Sequence, residues 1–301
     1  MKVSVMVLTF NRSKLLKETI DSILNQTFKD FEIIVVDNYS TDNTEEVVKS
    51  YNDNRIKYFK NKNYGLLAIN RNFAIEQSSG EYIASCDDDD LWFPKKLEKQ
   101  LAEFEKDESI GLVCSNGFYL YKNGKKRKIF SSRDRYFSFK KLLKINKIMC
   151  CSVLIKKSVF DDVGIFDEDN PKIFTAEDYE MWLRIAKKYK MRYIGEPLIK
   201  YRIHDDNLKN EHLFGEKILK VDTEVYKGLL SKEIIDNTTY NNLIKKLNYR
   251  TSVLRLANHG EKIKLQIKFF DKCKLIFLYV LFHIGILNNI RHIKQKIFPI
   301  A

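Results

Sequence analysis

The chain has no CxxC pair, and its five cysteines, an odd number spread over 301 residues, do not make a disulfide framework. A reducing cytosol is the default compartment for such a chain. Cys150 and Cys151 are sequence neighbours and read as core rather than redox chemistry. Two phosphate-binding signatures are missing as well, GxGxxG and GxxxxGK[ST], so a cradle of backbone amides on glycines is not how this chain holds a phosphate. No apolar run reaches the roughly 20 residues that span a bilayer. Lys2 leads straight into a strand-like run, so no signal peptide is expected. Excess charge is lacking from most of the chain. The net charge is +13, yet residues 1–206 carry 36 Lys/Arg against 32 Asp/Glu, and residues 207–301 carry 17 against 8. The basic tail has no nucleic-acid-binding motif beside it, so a nucleic-acid partner is not expected.

With 44% apolar residues the chain can bury a sizeable core. Its most informative stretch is Tyr82-Ile83-Ala84-Ser85-Cys86-Asp87-Asp88-Asp89-Asp90-Leu91-Trp92-Phe93-Pro94, where an apolar strand is cut off by four carboxylates. Adjacent carboxylates repel one another, and a hard divalent cation relieves that repulsion. The alternative is an acidic turn capping the next helix. Upstream, Val3–Leu8 reads as a buried strand ending in Thr9-Phe10-Asn11-Arg12. A helix follows through Leu24, with Ser13 as its expected cap. Glu32–Asp37 is a second strand ending in Asp37-Asn38-Tyr39-Ser40, and a helix starts near Thr44. Ile56–Phe59 is a third strand, Ala68–Glu76 a helix and Tyr82–Cys86 a fourth strand. Cys150–Ile155 reads as a further core strand.

Alternating strands and helices predict an α/β fold with a mostly parallel sheet. Ligands of such sheets sit outside the carboxyl ends of the strands. Thr9–Arg12, Asp37–Ser40 and Asp87–Asp90 are all expected there, which favours a ligand site over plain capping. A carboxylate–metal clamp on a diphosphate, drawn from the Asp87–Asp90 turn, is the remaining chemistry. Asp37 is suited to a base N–H or a ribose hydroxyl, and Arg71 to a phosphate or the face of a base.

These motifs resemble glycosyltransferase family 2. The resemblance lies in Val3–Arg12, Ser22–Thr27, Phe31–Asp37, Arg71-Asn72, Gly80–Ile83, Asp87-Asp88-Asp89 with Leu91-Trp92-Phe93-Pro94, Val163–Glu168, Ala176–Arg184 and Tyr201–His204. It covers about residues 1–206. It implies an inverting, metal-dependent GT-A-type enzyme using Mn²⁺ or Mg²⁺ and a nucleotide-sugar, UDP-sugar first, with dTDP and GDP open. The acceptor would be a hydroxyl of a saccharide or a lipid-linked sugar, in bacterial surface polysaccharide synthesis. The resemblance further implies nucleotide contacts from Thr9, Asn11, Arg12, Asp37, Arg71, Asp87 and Asp88. Metal ligands would be Asp87, Asp89 and His204. Asp178 would be the general base, with Glu177, Trp182 and Arg202 beside the acceptor or behind the first contacts. Thr175 to Asp178 also has the spacing of a capping box, so Asp178 has a second reading as a cap. One departure stands out: the family's Asp-Asp-Gly-Ser is Asp37-Asn38-Tyr39-Ser40 here, and a Tyr at positive φ would be strained.

The expected organisation is a GT-A-type catalytic domain at 1–206, with a donor half at about 1–100 and an acceptor half at about 101–206. A basic helical C-terminal region follows at 207–301, with helices over Glu216–Leu230 and Thr239–Leu256. Cations at 262–274 and 291–296 bracket the apolar run Leu275–Leu287, which suits docking to an anionic membrane surface. The alternatives are packing on the catalytic domain or on a second subunit. The expected location is cytoplasmic, peripheral on the inner face of the cell membrane. A nucleotidyltransferase and a non-catalytic nucleotide-sugar binding protein are the rival functions.

Overall fold

A computed structural model describes residues 1–173, 176–203 and 214–258. Thr175, His204, the apolar run 275–287 and its bracketing cations lie outside the described residues. By compactness the chain divides into residues 1–251 and 252–301, and the candidate site residues belong to the first unit.

The donor half opens with strand β1 (Val3–Thr9), helix α1 (Ser13–Leu24), β2 (Phe31–Asp37), α2 (Thr44–Lys49), β3 (Ile56–Lys60), α3 (Leu67–Glu76) and β4 (Tyr82–Asp87). All seven residues of β2, and all but Leu8 in β1, are buried. Both strands read as continuous apolar runs because helices cover a parallel sheet on both faces. β3 is the half-exposed edge. The parallel register pairs Thr9 with Asp37, Leu8 with Asp87, and Asp37 with Lys60. The carboxyl ends therefore finish level, and the three polar clusters do share one edge.

The second half adds β5 (Leu91–Trp92), α4 (Lys96–Lys106), β6 (Ile110–Leu120), β7 (Lys126–Lys128), β8 (Arg135–Phe137), α5 (Phe139–Leu142), β9 (Leu154–Lys156), α6 (Ser158–Val163), α7 (Glu177–Lys188) and β10 (Lys190–Arg202). The sheet runs β3-β2-β1-β4-β9-β6-β10-β5, with β9 antiparallel between β4 and β6. This is the expected α/β architecture, a mixed and mostly parallel sheet flanked by helices. The C-terminal helices α8 (Phe214–Ser231) and α9 (Asn237–Asn258) follow. Val225, Tyr226 and Leu229 of α8 are buried, and Tyr226 Oη donates to the Leu143 carbonyl at 2.8 Å. Lys232 after it bridges Asp167 at 2.7 Å and Glu180 at 3.0 Å. Among the described residues no helix is long and apolar enough to cross a membrane.

Two local expectations are corrected. Ser13 does not cap α1, because it is the first helical residue and no side chain bonds at the N-cap, Arg12. Its N–H is instead accepted by Asp42 Oδ2 at 3.1 Å, from the loop after β2. A long-range carboxylate thus replaces the local cap. Cys150–Ser152 is a 3₁₀ turn, and the strand begins only at Leu154. Side chains take the carbonyls a ladder would have used: Trp92 Nε1 bonds the Cys151 oxygen at 3.1 Å and Gln100 Nε2 the Ser152 oxygen at 2.8 Å.

Candidate active site

The turn Asp87–Asp90 at the end of β4 is held from three sides. Arg12, between β1 and α1, donates from Nη1 to Asp88 Oδ1 at 3.0 Å and to Asp89 Oδ2 at 2.8 Å. The buried Thr19 hydroxyl on α1 is shared between the carbonyls of Asp88 and Asp90, at 3.0 and 2.8 Å. Arg202, at the end of β10, donates its backbone N–H to Asp90 Oδ1 at 2.9 Å and Nε to the Asp89 carbonyl at 2.8 Å. Thr9 is buried and its hydroxyl has no hydrogen-bond partner.

This turn concentrates negative charge. Burial, then the neighbouring carboxylates, push Asp87 up to about 6 against the pull of Arg71. Burial likewise raises Asp88, with Arg12 opposing. Asp90 is fully buried and its Oδ2 has no hydrogen-bond partner. Ligand atoms of Asp87, Asp90 and Cys151 lie within 4.8 Å of one another. Sequence reasoning had not singled out Asp90 or Cys151. Only the folded turn brings the two together.

A second acidic pair faces the turn through Arg71. This arginine is buried on α3. It donates Nε to Glu177 Oε1 at 3.2 Å and Nη1 to Ser85 Oγ at 3.2 Å, and Nη2 lies 4.0 Å from Asp87. Phe166 lies under its guanidinium, 5.6 Å from ring centroid to Cζ. Burial opposes the charge on Arg71, but Cys150, Glu177, Asp87 and Asp178 around it carry its pKa upward. Asn72 beside it exchanges hydrogen bonds with the Phe166 backbone, 2.9 Å each way, and reaches Glu168 at 2.9 Å. Arg71-Asn72 thus ties α3 to the segment before α7. Ser85 and Asp87 share one face of β4 by its two-residue period, which is why one guanidinium reaches both.

Asp178 lies in the first turn of α7, whose N-cap is Ala176. Its Oδ1 accepts the N–H of Tyr179 at 2.6 Å. Burial, and after it the Glu177 carboxylate, raises Asp178 to about 7. That value suits a group that both takes and gives a proton near neutral pH. Trp182, one turn on, is fully buried with its ring against Phe166.

At the end of β2, Asp37 is fully buried and its oxygens are used internally. Oδ1 accepts from the Ser40 N–H at 2.9 Å and the Ser40 hydroxyl at 2.6 Å, and Oδ2 accepts from Tyr58 Oη at 2.5 Å. Asn11 ties the same loop, its N–H to Ser40 Oγ at 2.8 Å and its Oδ1 to the Thr41 N–H at 2.7 Å.

With this geometry in view, similarity to known proteins is decisive. The family model described as Glycosyl transferase family 2 matches residues 4–164. The chain belongs to glycosyltransferase family 2. MJ1057, a glycosyltransferase of Methanocaldococcus jannaschii, is 37% identical over 236 residues, covering 72% of this chain and 78% of the relative. WfaP of Escherichia coli is named a UDP-Glc:alpha-D-GlcNAc-diphosphoundecaprenol beta-1,3-glucosyltransferase. It is 32% identical, covering 67% of this chain and 77% of its own length. The fold is shared with residues 1–349 of Staphylococcus aureus TarS in complex with UDP-GlcNAc, at TM-score 0.64 and 19% identity, covering 89% of this chain and 78% of that one. This chain spans 46% of the longer TarS chain. It is a transferase enzyme, and membership of this family replaces the nucleotidyltransferase reading.

Proposed function

We propose that this glycosyltransferase moves a sugar from a nucleoside diphosphate, UDP foremost, to a hydroxyl of a saccharide or lipid-linked acceptor, with inversion, in building a bacterial surface polysaccharide. The observation that carries the reading is the bridge made by Arg71, with Asp87 of the acidic turn on one side and the Glu177-Asp178 pair on the other. The activity for which WfaP is named supports a UDP-sugar donor and a diphospholipid-linked acceptor.

The acidic turn fits a hard divalent cation, Mn²⁺ or Mg²⁺. Its four carboxylates are crowded, burial and the neighbouring carboxylates raise Asp87, Asp88 and Asp90, and one buried oxygen of Asp90 has no partner. Asp87 and Asp89 would hold the ion, with His204, outside the described residues, as a third ligand. When bound, such an ion acts as a Lewis acid on the leaving diphosphate. Thr9, Asn11, Arg12 and Asp88 line the nucleotide side, and Asp37 shapes it by holding Ser40 and Tyr58. Arg12 is the cation poised to move from Asp88 and Asp89 to phosphate oxygens, and Arg202 holds the backbone of the turn in place. In this reading Arg71 orients the acidic pair and is not itself a nucleotide contact, and Trp182 supports α7 from the core. Asp178 takes the acceptor proton on Oδ2 while the acceptor oxygen bonds the anomeric carbon. The bond from that carbon to the diphosphate breaks, and the nucleoside diphosphate leaves.

A ligand that binds only the folded state stabilises it by RT ln(1 + c/Kd) at free concentration c, so the melting temperature climbs with the logarithm of its concentration over Kd. UDP with Mn²⁺ is therefore expected to stabilise the protein, and UDP with EDTA to do so far less. Asp89→Ala should remove the metal-dependent part of the shift and abolish turnover with the fold intact. A variant fully active in EDTA contradicts the metal reading.

The same proposal extends to the basic tail. Full-length protein is expected to float with vesicles containing phosphatidylglycerol, more weakly as salt screens the cations. Truncation after Gly260 should abolish flotation and leave donor binding unchanged. A full chain that never floats, or an insoluble truncation, argues instead for packing of 275–287 within the protein or on a second subunit.

A further inference from the structure

Five described residues other than glycine have positive φ: Asn11 at 53°, Asn52 at 47°, Glu233 at 56°, and two tyrosines, Tyr39 at 60° and Tyr64 at 51°. Asn tolerates this left-handed region, whereas a bulky side chain there is strained. Such strain persists where the surroundings enforce it, and it collects at ligand clamps. Burial of the rings does not offset it here, since Tyr39 is 55% and Tyr64 76% exposed.

The two tyrosines stand in neighbouring loops. Tyr39 follows β2, and Tyr64 lies between β3 and α3. The Asn63 N–H donates to Asn38 Oδ1 at 2.9 Å, so the residues preceding the two tyrosines are bonded to each other. On the other side, the Asn11 N–H bonds Ser40 Oγ, which brings the loop of the exposed Phe10 into the same net. Three exposed rings, on Phe10, Tyr39 and Tyr64, are thus carried by one hydrogen-bonded set of loops at the level carboxyl ends of β1, β2 and β3. Asp37 between them is spent on Ser40 and Tyr58, so a planar ligand at this edge meets aromatic faces rather than a free carboxylate.

The sheet order fixes where this edge lies. From the acidic turn at β4 the order runs β1, β2, β3. The tyrosine loops stand two to three strand spacings away, about 10–15 Å at roughly 4.8 Å per strand. A nucleoside whose diphosphate lies at the turn extends its base in that direction. We propose that Tyr39 and Tyr64 form an aromatic clamp on the nucleobase of the donor, with Phe10 beside them. This rests on the reading of the donor as a nucleoside diphosphate sugar. The tyrosine that replaces glycine in the Asp37–Ser40 turn is then a binding element kept at the expense of stability. Stacking tolerates any base, so the clamp sets donor affinity more than base identity.

The test uses the full chain with Mn²⁺ and measures calorimetric binding of UDP, dTDP and GDP, with inorganic pyrophosphate as the base-free control. Tyr39→Gly and Tyr64→Gly relieve the backbone strain, so both variants should melt higher than wild type. Each should nevertheless bind the nucleotides about tenfold more weakly, within the range of base–aromatic stacking. Pyrophosphate binding should not change, and Tyr39→Phe should bind like wild type. Unchanged nucleotide affinity in both glycine variants overturns the clamp alone. So does an equal loss for pyrophosphate, which would mean general damage to the site. A wild-type protein that binds none of the three nucleotides overturns the donor reading as well.

Discussion

Asp178→Asn is expected to lower sugar transfer by about 10²- to 10⁴-fold, the range of a general base, while donor affinity stays near wild type. The amide keeps an oxygen for the Tyr179 N–H, so the first turn of α7 should survive. Stability should move the opposite way from activity. Burial raises the Asp178 carboxyl from 3.8 to about 7 in the fold. Its ionisation therefore costs stability that is fully retained at low pH and is lost as the pH rises towards about 7. The Asn variant lacks this cost, so its melting temperature should exceed that of wild type at pH 8 and approach it near pH 4. Wild-type transfer should fall as the pH drops through about 7, because the base must be ionised. A variant that loses its fold while the residual folded enzyme transfers normally would make Asp178 a helix cap only. Circular dichroism melts at two pH values and initial rates over pH 5.5–9 distinguish these outcomes.

Arg71→Met is expected to be the most damaging change to stability. It leaves Glu177 buried without its partner, and breaking a buried ion pair in this way costs about 3–5 kcal/mol. The contacts to Ser85 and Asp87 go with it. The double variant Arg71→Met/Glu177→Gln should recover much of that loss, since no uncompensated carboxylate then remains in the Glu177 position. Its transfer rate should stay low, because the bridge from Asp87 of the acidic turn to the first turn of α7 is gone. If Arg71 were only a phosphate contact, the single variant would melt like wild type and fail only in donor binding. Urea denaturation of both variants separates the two cases.

The donor half was legible because its central strands are buried on both faces. Val3–Leu8 and Glu32–Asp37 announce themselves as apolar runs, and each ends in a polar cluster at a carboxyl end. The level register of Thr9, Asp37 and Asp87 follows from parallel pairing. What the sequence hides is long-range pairing. Nothing near Arg71 points to Glu177, 106 residues away. Nothing near Arg202 shows that it braces the backbone of Asp89, 113 residues earlier. Ser13 looks like a cap until Asp42 arrives from another loop. The Cys150–Ser152 segment has strand composition, yet Trp92 and Gln100 claim its carbonyls. The Tyr39 departure was visible as a strained residue, but its link to Tyr64 needed the Asn38–Asn63 bond.

The central claim is inverting, metal-assisted transfer from a nucleotide-sugar with Asp178 as base. Proton NMR of the slow hydrolysis of an α-linked UDP-sugar by the full chain tests it most directly, with water standing in for the acceptor. The account predicts that the first sugar released is the β anomer, that EDTA stops its formation, and that Asp178→Asn slows it at least a hundredfold. Release of the α anomer first, or release that continues unchanged in EDTA or in the Asp178→Asn variant, would contradict it.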